Sequence, residues 1–487
     1  MPTVGRRTHH QVTFSVLAAG IAAYALLQSL ITPVLTTVQQ QLHTSQDTAT
    51  WVLTGYLLSA SVFTPIMGRI GDMKGKKRVF VVTLIALTLG SLLAALATNI
   101  GVMIVARVIQ GIGGGVLPLA FGIIRDEFPR EKVTGAVGLI ASLSAVGAGL
   151  GIVLAGPIIT SLGFAWLFWI PMIMTGAAAV AAAVLVPESP IRTPGRVSWL
   201  PALLMSGWLV ALLVALSEAP EWGWASGKVI GLLVATVVLA VVWIVAENRA
   251  VTPLIDMKMM RLTAVWTNNL VALLIGIGMY ATFAFLPEFV QTPRLAGYGF
   301  GASITQSGLI LLPASITMFA VAMFAGRMAK RLGGKVLVVA GCAIGVGSMS
   351  ILAFAHDQKW ELYLSTAIMG VGFGLAFAAM SGLIVGAVPA EQTGVASGMN
   401  ANIRTIGGSI GAALMASIVT AHVSPVGLPT ESGYTEGFAM LAFGLVLAAF
   451  AGLLIPSAGL RDPQEDELDH AELALLSAGT IVGDESE

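Results

Sequence analysis

The chain has 487 residues, of which 56% are hydrophobic and only 10% charged, and its mean hydropathy is +0.89. Its 25 Lys and Arg balance its 25 Asp and Glu, so the net charge is zero. This composition excludes a soluble globular domain and gives no reason to expect a nucleic-acid partner. It indicates a protein whose surface lies largely in a lipid bilayer.

Fourteen apolar runs follow one another along the chain, each about as long as a helix that crosses the roughly 30 Å hydrocarbon core of a bilayer. They lie at 12–35, 49–68, 79–98, 101–124, 134–159, 164–186, 198–217, 227–246, 263–287, 303–326, 336–355, 361–386, 394–421 and 435–456. Several contain Gly or Pro, which membrane bundles tolerate. The sequence therefore predicts an all-α polytopic membrane protein with 14 transmembrane helices, the first of them uncleaved.

Basic residues are unevenly distributed between the predicted loops. If the N-terminus is inside and the spans alternate, 20 of the 25 Lys and Arg lie on its side of the membrane and three on the other. The remaining two, Arg107 and Arg404, lie within spans. Because positively charged loops stay in the cytoplasm, we expect a multi-pass protein of the plasma or inner membrane with both termini cytoplasmic.

Few residues are available for catalysis or metal binding. Cys342 is the single cysteine and lies within a predicted span, so no disulfide framework or Cys-based metal site is expected. The six histidines lie in predicted loops, tails or span ends, and the sequence has no G-x-x-x-x-G-K-(S/T) phosphate loop. We therefore predict no enzyme activity, no metal and no cofactor.

An internal repeat organises the chain. The matched landmarks, separated by 258 or 259 residues, are the segments beginning at Gly68 and Gly326, residues 110–115 and 369–374, and Gly135 and Gly394. This offset spans eight helices, so two six-helix bundles in the same orientation would flank an extra pair. The predicted regions are an N-terminal cytoplasmic segment at 1–11, bundles at 12–196 and 263–456, two extra helices at 197–262 and an acidic cytoplasmic tail at 457–487.

Three motifs give the chain a family resemblance. Gly68, Asp72, Gly75, Lys76, Lys77 and Arg78 follow G-x-x-x-D-x-x-G-(R/K)-(R/K)-(R/K), and Arg107, Gln110 and Gly111 follow R-x-x-Q-G. The run GAGLGIVLAGP at 147–157 is similar to a fifth-span antiporter motif, although Ala148 replaces the usual Pro. On these motifs the chain resembles the major facilitator superfamily, and within it the fourteen-span drug:proton antiporters.

The resemblance implies a conformational latch in the segment 68–78. Its predicted members are Gly68, Asp72, Gly75, Lys76 and Arg78. As a basic cytoplasmic loop the segment would also fix the topology. We expect Asp72 to pair with Arg78 or to lie at the N-terminus of a neighbouring helix. Lys330 stands at the matching position of the second copy, so only the first copy is expected to latch.

Polar residues within apolar spans are the candidates for the transport site, because intramembrane charges are costly and mark function. They could instead stabilise the fold, Arg107 and Arg404 by binding backbone carbonyls. Arg107 shares a helix face with Gln110, and Arg404 follows Asn400 at helical spacing. The predicted substrate-binding residues are Tyr24, Gln28, Thr32, Gln110, Asn269, Tyr280, Asn400 and Arg404.

Proton coupling is assigned to Glu288 and Arg107. Many relatives carry an Asp in the middle of span 1, where this chain has Tyr24, Gln28 and Thr32, none of which is acidic. Glu288, near the outer end of span 9, is the acid that remains, and partial burial of its side chain is expected. It could also be an interfacial carboxylate, in which case Asp72, Asp126 or another acid at a span end would carry the proton, or no proton is coupled.

The fifth-span motif supplies the residues Gly147, Gly151, Gly156 and Pro157. Glycine-rich faces allow helices to approach closely. The resemblance adds a second role, a flexible seam between the two halves that controls leakage.

The resulting prediction is a proton-coupled exporter of amphipathic drugs that works by alternating access, without ATP. Its expected partners are a small organic substrate, protons and the lipid bilayer, and we expect a monomer. Two alternatives stay open: a facilitator or importer of a small nutrient in the same fold, and a non-transporting membrane sensor.

Overall fold

A computed structural model describes residues 4–189, 198–250, 253–389, 392–421 and 428–456. The predicted acidic tail at 457–487 lies outside the described residues. The α-helices are α1 (Val4–Ser29), α2 (Leu35–Gln41), α3 (Gln46–Lys74), α4 (Lys76–Ala95), α5 (Ile100–Gly111), α6 (Val116–Glu127), α7 (Arg130–Leu162), α8 (Trp166–Leu185), α9 (Trp199–Trp222), α10 (Gly227–Arg249), α11 (Met257–Met260), α12 (Thr263–Gln291), α13 (Ile304–Leu332), α14 (Gly334–Phe354), α15 (Lys359–Ala387), α16 (Thr393–Ala421) and α17 (Glu431–Leu453).

Thirteen segments of the described chain are long and apolar enough to cross a membrane, and they match the predicted spans 1–4 and 6–14. At the place of the fifth predicted span lies α7, which has 33 residues and a shorter apolar stretch at Gly149–Leu162. The all-α polytopic prediction is confirmed, and the count of 14 transmembrane helices stays a prediction.

The segment 68–78 differs from the loop that the sequence predicts. Helix α3 continues to Lys74 and α4 begins at Lys76, so Gly75 is the sole residue between them. Gly75 has a φ of +110°, and a Cβ there would lie 2.5 Å from Oε1 of Glu188. The left-handed conformation and the close carboxylate both require glycine, which lets two helices meet without a loop. We call the end of the molecule that carries residues 74–78 the basic end, and the other the opposite end.

The fourth predicted span is a broken helix. A 3₁₀ turn, Ile112–Gly115, separates α5 from α6. A Cβ at Gly113 would lie 2.3 Å from Leu87, and one at Gly114 would lie 2.3 Å from Oγ1 of Thr64. The glycines therefore let this turn pack closely on α3 and α4.

The buried apolar residues of the N-terminal helices form clusters around Phe80 and Leu17 and around Val52. Those of the C-terminal helices form one cluster around Phe289 and Phe373. A fourth cluster joins α9 and α10 to α3 and α16. The extra helix pair thus packs where helices from both halves of the sequence meet.

Two equivalent close approaches hold the halves together at the basic end. A Cβ at Gly68 would lie 2.7 Å from the carbonyl oxygen of Gly394, and a Cβ at Gly326 would lie 2.8 Å from Cα of Gly135. The repeat pairs Gly68 with Gly326 and Gly135 with Gly394. One contact joins α3 to α16, and the equivalent contact joins α13 to α7. Two parallel repeats produce this relation.

Candidate functional site

A cavity of about 270 Å³ lies between the two halves of the molecule. Its lining comes from both halves of the chain. The N-terminal half contributes α1, α3, α5, α6 and α7, and the C-terminal half contributes α12, α15 and α16. The lining residues include Gln28, Leu53, Tyr56, Leu57, Arg107, Ser144, Ile152, Met279, Tyr280, Phe283, Ala284, Phe377, Arg404, Thr405, Ser409 and Ala412. A second cavity of about 60 Å³ shares several of these residues and adds Tyr24, Ser61, Thr64 and Asn402 nearer the basic end. A mostly apolar wall with a few polar groups is typical of small-molecule sites.

Arg107 is fully buried at the wall of the larger cavity. Its Nε donates a hydrogen bond to the carbonyl oxygen of Val52 at 3.0 Å, and its Nη1 donates to Oε1 of Gln110 at 2.7 Å. Its Cζ lies 4.5 Å from the ring centroid of Tyr56, a distance at which the cation and ring attract. Gln110 in turn donates to Ser91 at 3.1 Å. These contacts fix the guanidinium in one orientation.

Arg404 approaches the same cavity from α16. Its Cζ lies 4.8 Å from the ring centroid of Phe377. Arg107 and Arg404 both line the larger cavity. The structure thus brings together two arginines that are almost three hundred residues apart in the sequence.

The structure gathers some of the predicted substrate-binding residues and separates others. Tyr24, Gln28, Tyr280 and Arg404 line the cavities. Gln110 is buried behind Arg107. Asn400 donates a hydrogen bond to Asn269 at 2.9 Å, joining α16 to α12, and neither residue lines either cavity. Thr32 lies in a 3₁₀ turn, Thr32–Val34, and its side chain is outside the described set.

Asp72 and its neighbours close the basic end. The Asp72 side chain is buried, and both of its carboxylate oxygens would lie 3.0 Å from a Cβ at Gly394, in the first turn of α16. Lys76 Nζ lies 3.8 Å from Asp72 and 2.6 Å from Asp126. Since a helix N-terminus is partially positive, a carboxylate from α3 faces an attractive site on a helix of the other half.

Arg78 has a different partner. Its Nε lies 3.5 Å from Oε2 of Glu188, and the arginine side chain is 72% exposed. Glu188 also accepts a hydrogen bond from the backbone N–H of Lys77 at 3.2 Å. Arg78 therefore pairs with Glu188 and not with Asp72. Asp72 lies at the N-terminus of α16, the second of its two expected positions.

A second bridge between the halves starts from Arg125, at the end of α6. Its Nη1 donates a hydrogen bond to the carbonyl oxygen of Val385 and another to Oγ1 of Thr393 at 2.8 Å. Asp126, next to it, pairs with Lys76 and accepts a hydrogen bond from Ser189. These contacts reinforce the closure that Asp72 and Gly68 make.

Comparison with known proteins identifies the family of this arrangement. The model of the Major Facilitator Superfamily matches residues 17–412, most of the sequence. The chain belongs to the Major Facilitator Superfamily. It is therefore a multi-pass membrane transporter, and transporters of this superfamily are in general not enzymes.

Two curated relatives cover most of this transporter. The multidrug resistance protein B homolog of Mycobacterium tuberculosis is 30% identical over 415 residues, which are 81% of this chain and 75% of the relative. The tetracenomycin C resistance and export protein of Streptomyces glaucescens is 27% identical over 430 residues, 87% of this chain and 79% of the relative. The family resemblance seen in the motifs is confirmed.

A solved structure shares the fold of this transporter. The crystal structure of the human organic anion transporter MFSD10 superposes with a TM-score of 0.67 over 93% of this chain and 100% of that chain. The two sequences are 16% identical, so the likeness concerns the fold alone.

Glu288 lies near the opposite end of the transporter, outside both cavities. It follows the cavity-lining Ala284 by one turn, and part of its side chain is exposed at the surface of the described chain. The inward positions beside it belong to Leu286 and Phe289, each 1% exposed. Glu288 therefore stands beyond the cavity on the same stripe of α12.

An aromatic cluster around Phe289 packs the opposite end of the C-terminal half. The centroid of the Phe289 ring lies 5.1–5.7 Å from the ring centroids of Tyr298, His356 and Tyr434. The rings of Tyr298 and Tyr434 are 5.8 Å apart. The Tyr298 hydroxyl donates to the carbonyl oxygen of Pro429 at 2.6 Å, and burial raises the pKa of Tyr298. His356 contacts Glu431 at 3.1 Å. These interactions tie the loops at the opposite end to α17.

The fifth-span glycines of the transporter face two different partners. Gly147 and Gly151 pack on α1 of their own half, where Ser29 donates a hydrogen bond to the carbonyl oxygen of Gly147 at 3.2 Å. A Cβ at Gly156 would lie 2.3 Å from Thr305 of α13, in the other half. Pro157 lies within α7 and is exposed. Of the three motif glycines, Gly156 is the one that packs against the other half.

Several residues that shape the site were not singled out from the sequence. As one of the 20 basic residues on the N-terminal side, Arg125 indicates only topology in the sequence, although it directly follows an apolar span. Gly149 and Gly308 bring α7 and α13 together: a Cβ at Gly308 would lie 2.7 Å from Cα of Val153.

Glu247, 2% exposed, accepts hydrogen bonds from the backbone N–H groups of Leu254 and Ile255 at 2.9 and 3.3 Å. An acid at the end of so apolar a helix was the available signal.

Proposed function

We propose that this transporter is a proton-coupled exporter of amphipathic drugs that works by alternating access. Its 14 helices would form two six-helix bundles, at 12–196 and 263–456, with an extra pair at 197–262. The protein would lie in the plasma or inner membrane as a monomer. Both of its termini would be cytoplasmic. The basic end would then face the cytoplasm, as the positive-inside rule requires.

The observation that carries the proposal is the cavity between the halves. It lies at mid-length of the helices, has contributions from both halves, and is closed toward the basic end where Gly68 meets Gly394. Alternating access requires a central site and closures that form and break on either side of it. The contacts of Asp72, Lys76 and Arg125 supply such a closure. This conformation would be closed to the cytoplasm.

The substrate class is proposed from the lining and the relatives together. Leu53, Leu57, Ile152, Met279 and Phe283 give the cavity an apolar, adaptable wall. The names of the two curated relatives refer to multidrug resistance and to tetracenomycin C resistance and export. Amphipathic drugs and antibiotics fit such a wall. A nutrient facilitator or importer in the same fold is the alternative outcome of the transport assay below.

Glu288 and Arg107 are the proposed coupling residues. Glu288 lies one turn beyond the cavity-lining Ala284, where a proton entering from the opposite end would meet it. We expect Glu288→Gln to lose uphill, pH-driven efflux while it keeps substrate binding and downhill exchange, because the amide cannot carry a proton.

The test uses proteoliposomes with an imposed pH gradient and a drug found by a growth-inhibition panel of cells with and without the protein. Glu221→Gln, an exposed acid at the end of α9, is the matched control. If the Glu288→Gln protein still concentrates drug against its gradient, Glu288 is an interfacial bystander and Asp72, Asp126 or another acid at a span end must couple. If the wild type moves drugs only downhill or inward, the exporter proposal fails.

A further inference from the structure

The charges that line the two cavities are all positive. Arg107 and Arg404 belong to the walls, whereas no Asp or Glu is found among the lining residues that the structure describes. Among the acids on the same helices, Asp72 lies toward the basic end and Glu288 toward the opposite end. There Asp72 faces α16 and Lys76, and Glu288 is exposed. The cavity therefore has an excess of positive charge in an apolar setting.

Neither arginine has a carboxylate partner within the described chain. Arg107 uses Nε and Nη1 for Val52 and Gln110, both neutral acceptors, and its buried Nη2 has no hydrogen-bond partner among the described residues. A buried guanidinium group that lacks a counter-charge is costly. Nη2 of Arg107 is therefore a buried donor that lacks an acceptor, on a side chain that lines the larger cavity.

Arg404 is held less tightly. The one described contact of its guanidinium is the ring of Phe377, 4.8 Å from Cζ. A guanidinium that stacks on a ring keeps its edge N–H donors free, and these match a carboxylate in geometry. Tyr24, Tyr56 and Tyr280 also belong to the walls of these cavities.

We infer that the substrate is an amphipathic organic anion: a compact aromatic or alicyclic body with one carboxylate or similarly acidic oxygen group. Its anionic group would lie between Arg107 and Arg404, and its apolar body would contact Leu57, Met279 and Phe283. This inference rests on the proposed transport function and narrows its substrate class. Cationic amphipathic drugs would be disfavoured, because the cavity offers them two like charges and no acid.

The dimensions support a compact ligand. A volume of about 270 Å³ is just below the roughly 300–1,000 Å³ of common small-molecule sites. The smaller cavity adjoins it through Gln28, Tyr56, Tyr280 and Arg404, which line both. The anionic group would thus lie where the two cavities meet, beside the polar residues, with the apolar body in the larger one.

The inference can be tested with three naphthalene probes that share one ring system and differ in charge. Naphthaleneacetate is anionic, naphthylethanol neutral and naphthylethylamine cationic at neutral pH. Equilibrium dialysis against the purified full-length chain measures the Kd of each. We expect the anion to bind about tenfold more tightly than the alcohol, since charge-assisted hydrogen bonds exceed neutral ones by about that amount. The amine should bind less tightly than the anion.

Variants assign the preference to the arginines. Arg404→Gln removes a guanidinium group whose described contact is the ring of Phe377, so the variant should still fold. We expect this variant to lose most of the preference for the anion. Arg107→Gln should do the same but also disturbs the bonds to Val52 and Gln110, so its thermal unfolding is measured alongside. Arg294→Gln, an exposed arginine at the opposite end, is the charge-matched control and should keep the preference.

The result that overturns the inference is an amine bound as tightly as the anion, or an anion preference that Arg404→Gln leaves unchanged. Flux of the same probes through proteoliposomes separates this from the proposed function. If the amine moves faster than the anion, transport stands and the substrate class is wrong. If the anion binds selectively but no probe or drug moves faster than through empty liposomes, the site stands and the transport proposal fails.

Discussion

Asp72 illustrates how one buried charge can join two halves of a molecule. Its carboxylate lies within reach of the first turn of α16, and Lys76 lies 3.8 Å away. A charge at a helix N-terminus contributes about 0.3–1 kcal/mol at exposed sites and up to about 2 kcal/mol when partly buried. The stabilisation depends on the charge, because the carboxylate faces a helix N-terminus and the ammonium group of Lys76.

We therefore expect Asp72→Asn to slow transport strongly while expression and membrane insertion stay near normal. The substitution keeps the size of the side chain, and Lys76 retains Asp126 as a partner 2.6 Å away. The measurement is drug efflux at matched protein levels. Glu131→Gln, an exposed acid at the same end, is the control. Wild-type efflux by Asp72→Asn would show that the charge does not latch the halves.

Among the elements, α7 and α13 form the tightest seam between the halves. Gly308 of α13 lies against backbone atoms of α7, since a Cβ there would be 2.7 Å from Cα of Val153 and 3.0 Å from the carbonyl oxygen of Ile152. Backbone cannot rotate away as a side chain can. An alanine at this position must push the two helices apart.

Gly308→Ala should therefore lower the thermal stability of the protein and impair transport. The control is Gly347→Ala in α14, where a Cβ meets nothing within 4 Å. That substitution should be neutral or raise stability by up to about 1 kcal/mol, because alanine favours a helix. Thermal unfolding in detergent measures both. Equal stability of the two variants would mean that the seam adapts without cost.

The extra helix pair, α9 and α10, is attached through Glu247. This carboxylate accepts hydrogen bonds from Leu254, Ile255 and Trp243, and so fixes the connection that follows α10. That connection packs with Val395 and Met399 of α16 in one apolar cluster. The pair is thus anchored beside the helix that Asp72 faces.

Glu247→Gln should destabilise the protein by about 1–3 kcal/mol, because one amide oxygen replaces two carboxylate oxygens and a buried backbone N–H loses its acceptor. Thermal unfolding and the yield of folded protein measure the effect. Glu221→Gln, at the exposed end of α9, should leave both unchanged. A Glu247→Gln protein as stable as the wild type would show that water replaces the lost acceptor.

At the scale of the whole molecule, closure of the basic end depends on two glycine contacts that the repeat relates. Gly68 meets Gly394, and Gly326 meets Gly135. In each case one half supplies the end of its second helix and the other the start of its fifth. A bundle that closes through glycine backbones has no side chain to absorb an added methyl group, so a single substitution should bias the two conformations.

Gly68→Ala should shift the transporter toward the conformation open at the basic end, since its Cβ would lie 2.7 Å from a carbonyl oxygen. Cys342 is the single cysteine of the chain, so Cys342→Ala with Ala401→Cys provides one reporter thiol at the smaller cavity. A membrane-impermeant thiol reagent applied from the basic side should label it faster in Gly68→Ala. Gly386→Ala, whose Cβ meets nothing within 4 Å, is the control. Equal labelling rates would contradict the role of this contact.

The sequence by itself determined the local and repeating features of this protein. Runs of apolar residues located the helices, because a span must satisfy its backbone internally and expose apolar side chains to lipid. A duplication of fixed offset related Gly68 to Gly326 and Gly135 to Gly394, and the motifs around Asp72 and Arg107 indicated the superfamily. These properties depend on spacing along one helix or on comparison within the chain, which a sequence displays directly.

Only the tertiary structure decided which polar residues share a space. Asn269 and Asn400 bond to each other, Glu288 lies beyond the cavity, and Arg125 crosses to Thr393. The helices here are apolar on most faces, so periodicity does not separate a face toward lipid from a face toward the other half. Arg107 and Arg404 face one cavity because the packing of α5 and α16 around it sets their directions, and that packing joins residues almost three hundred positions apart.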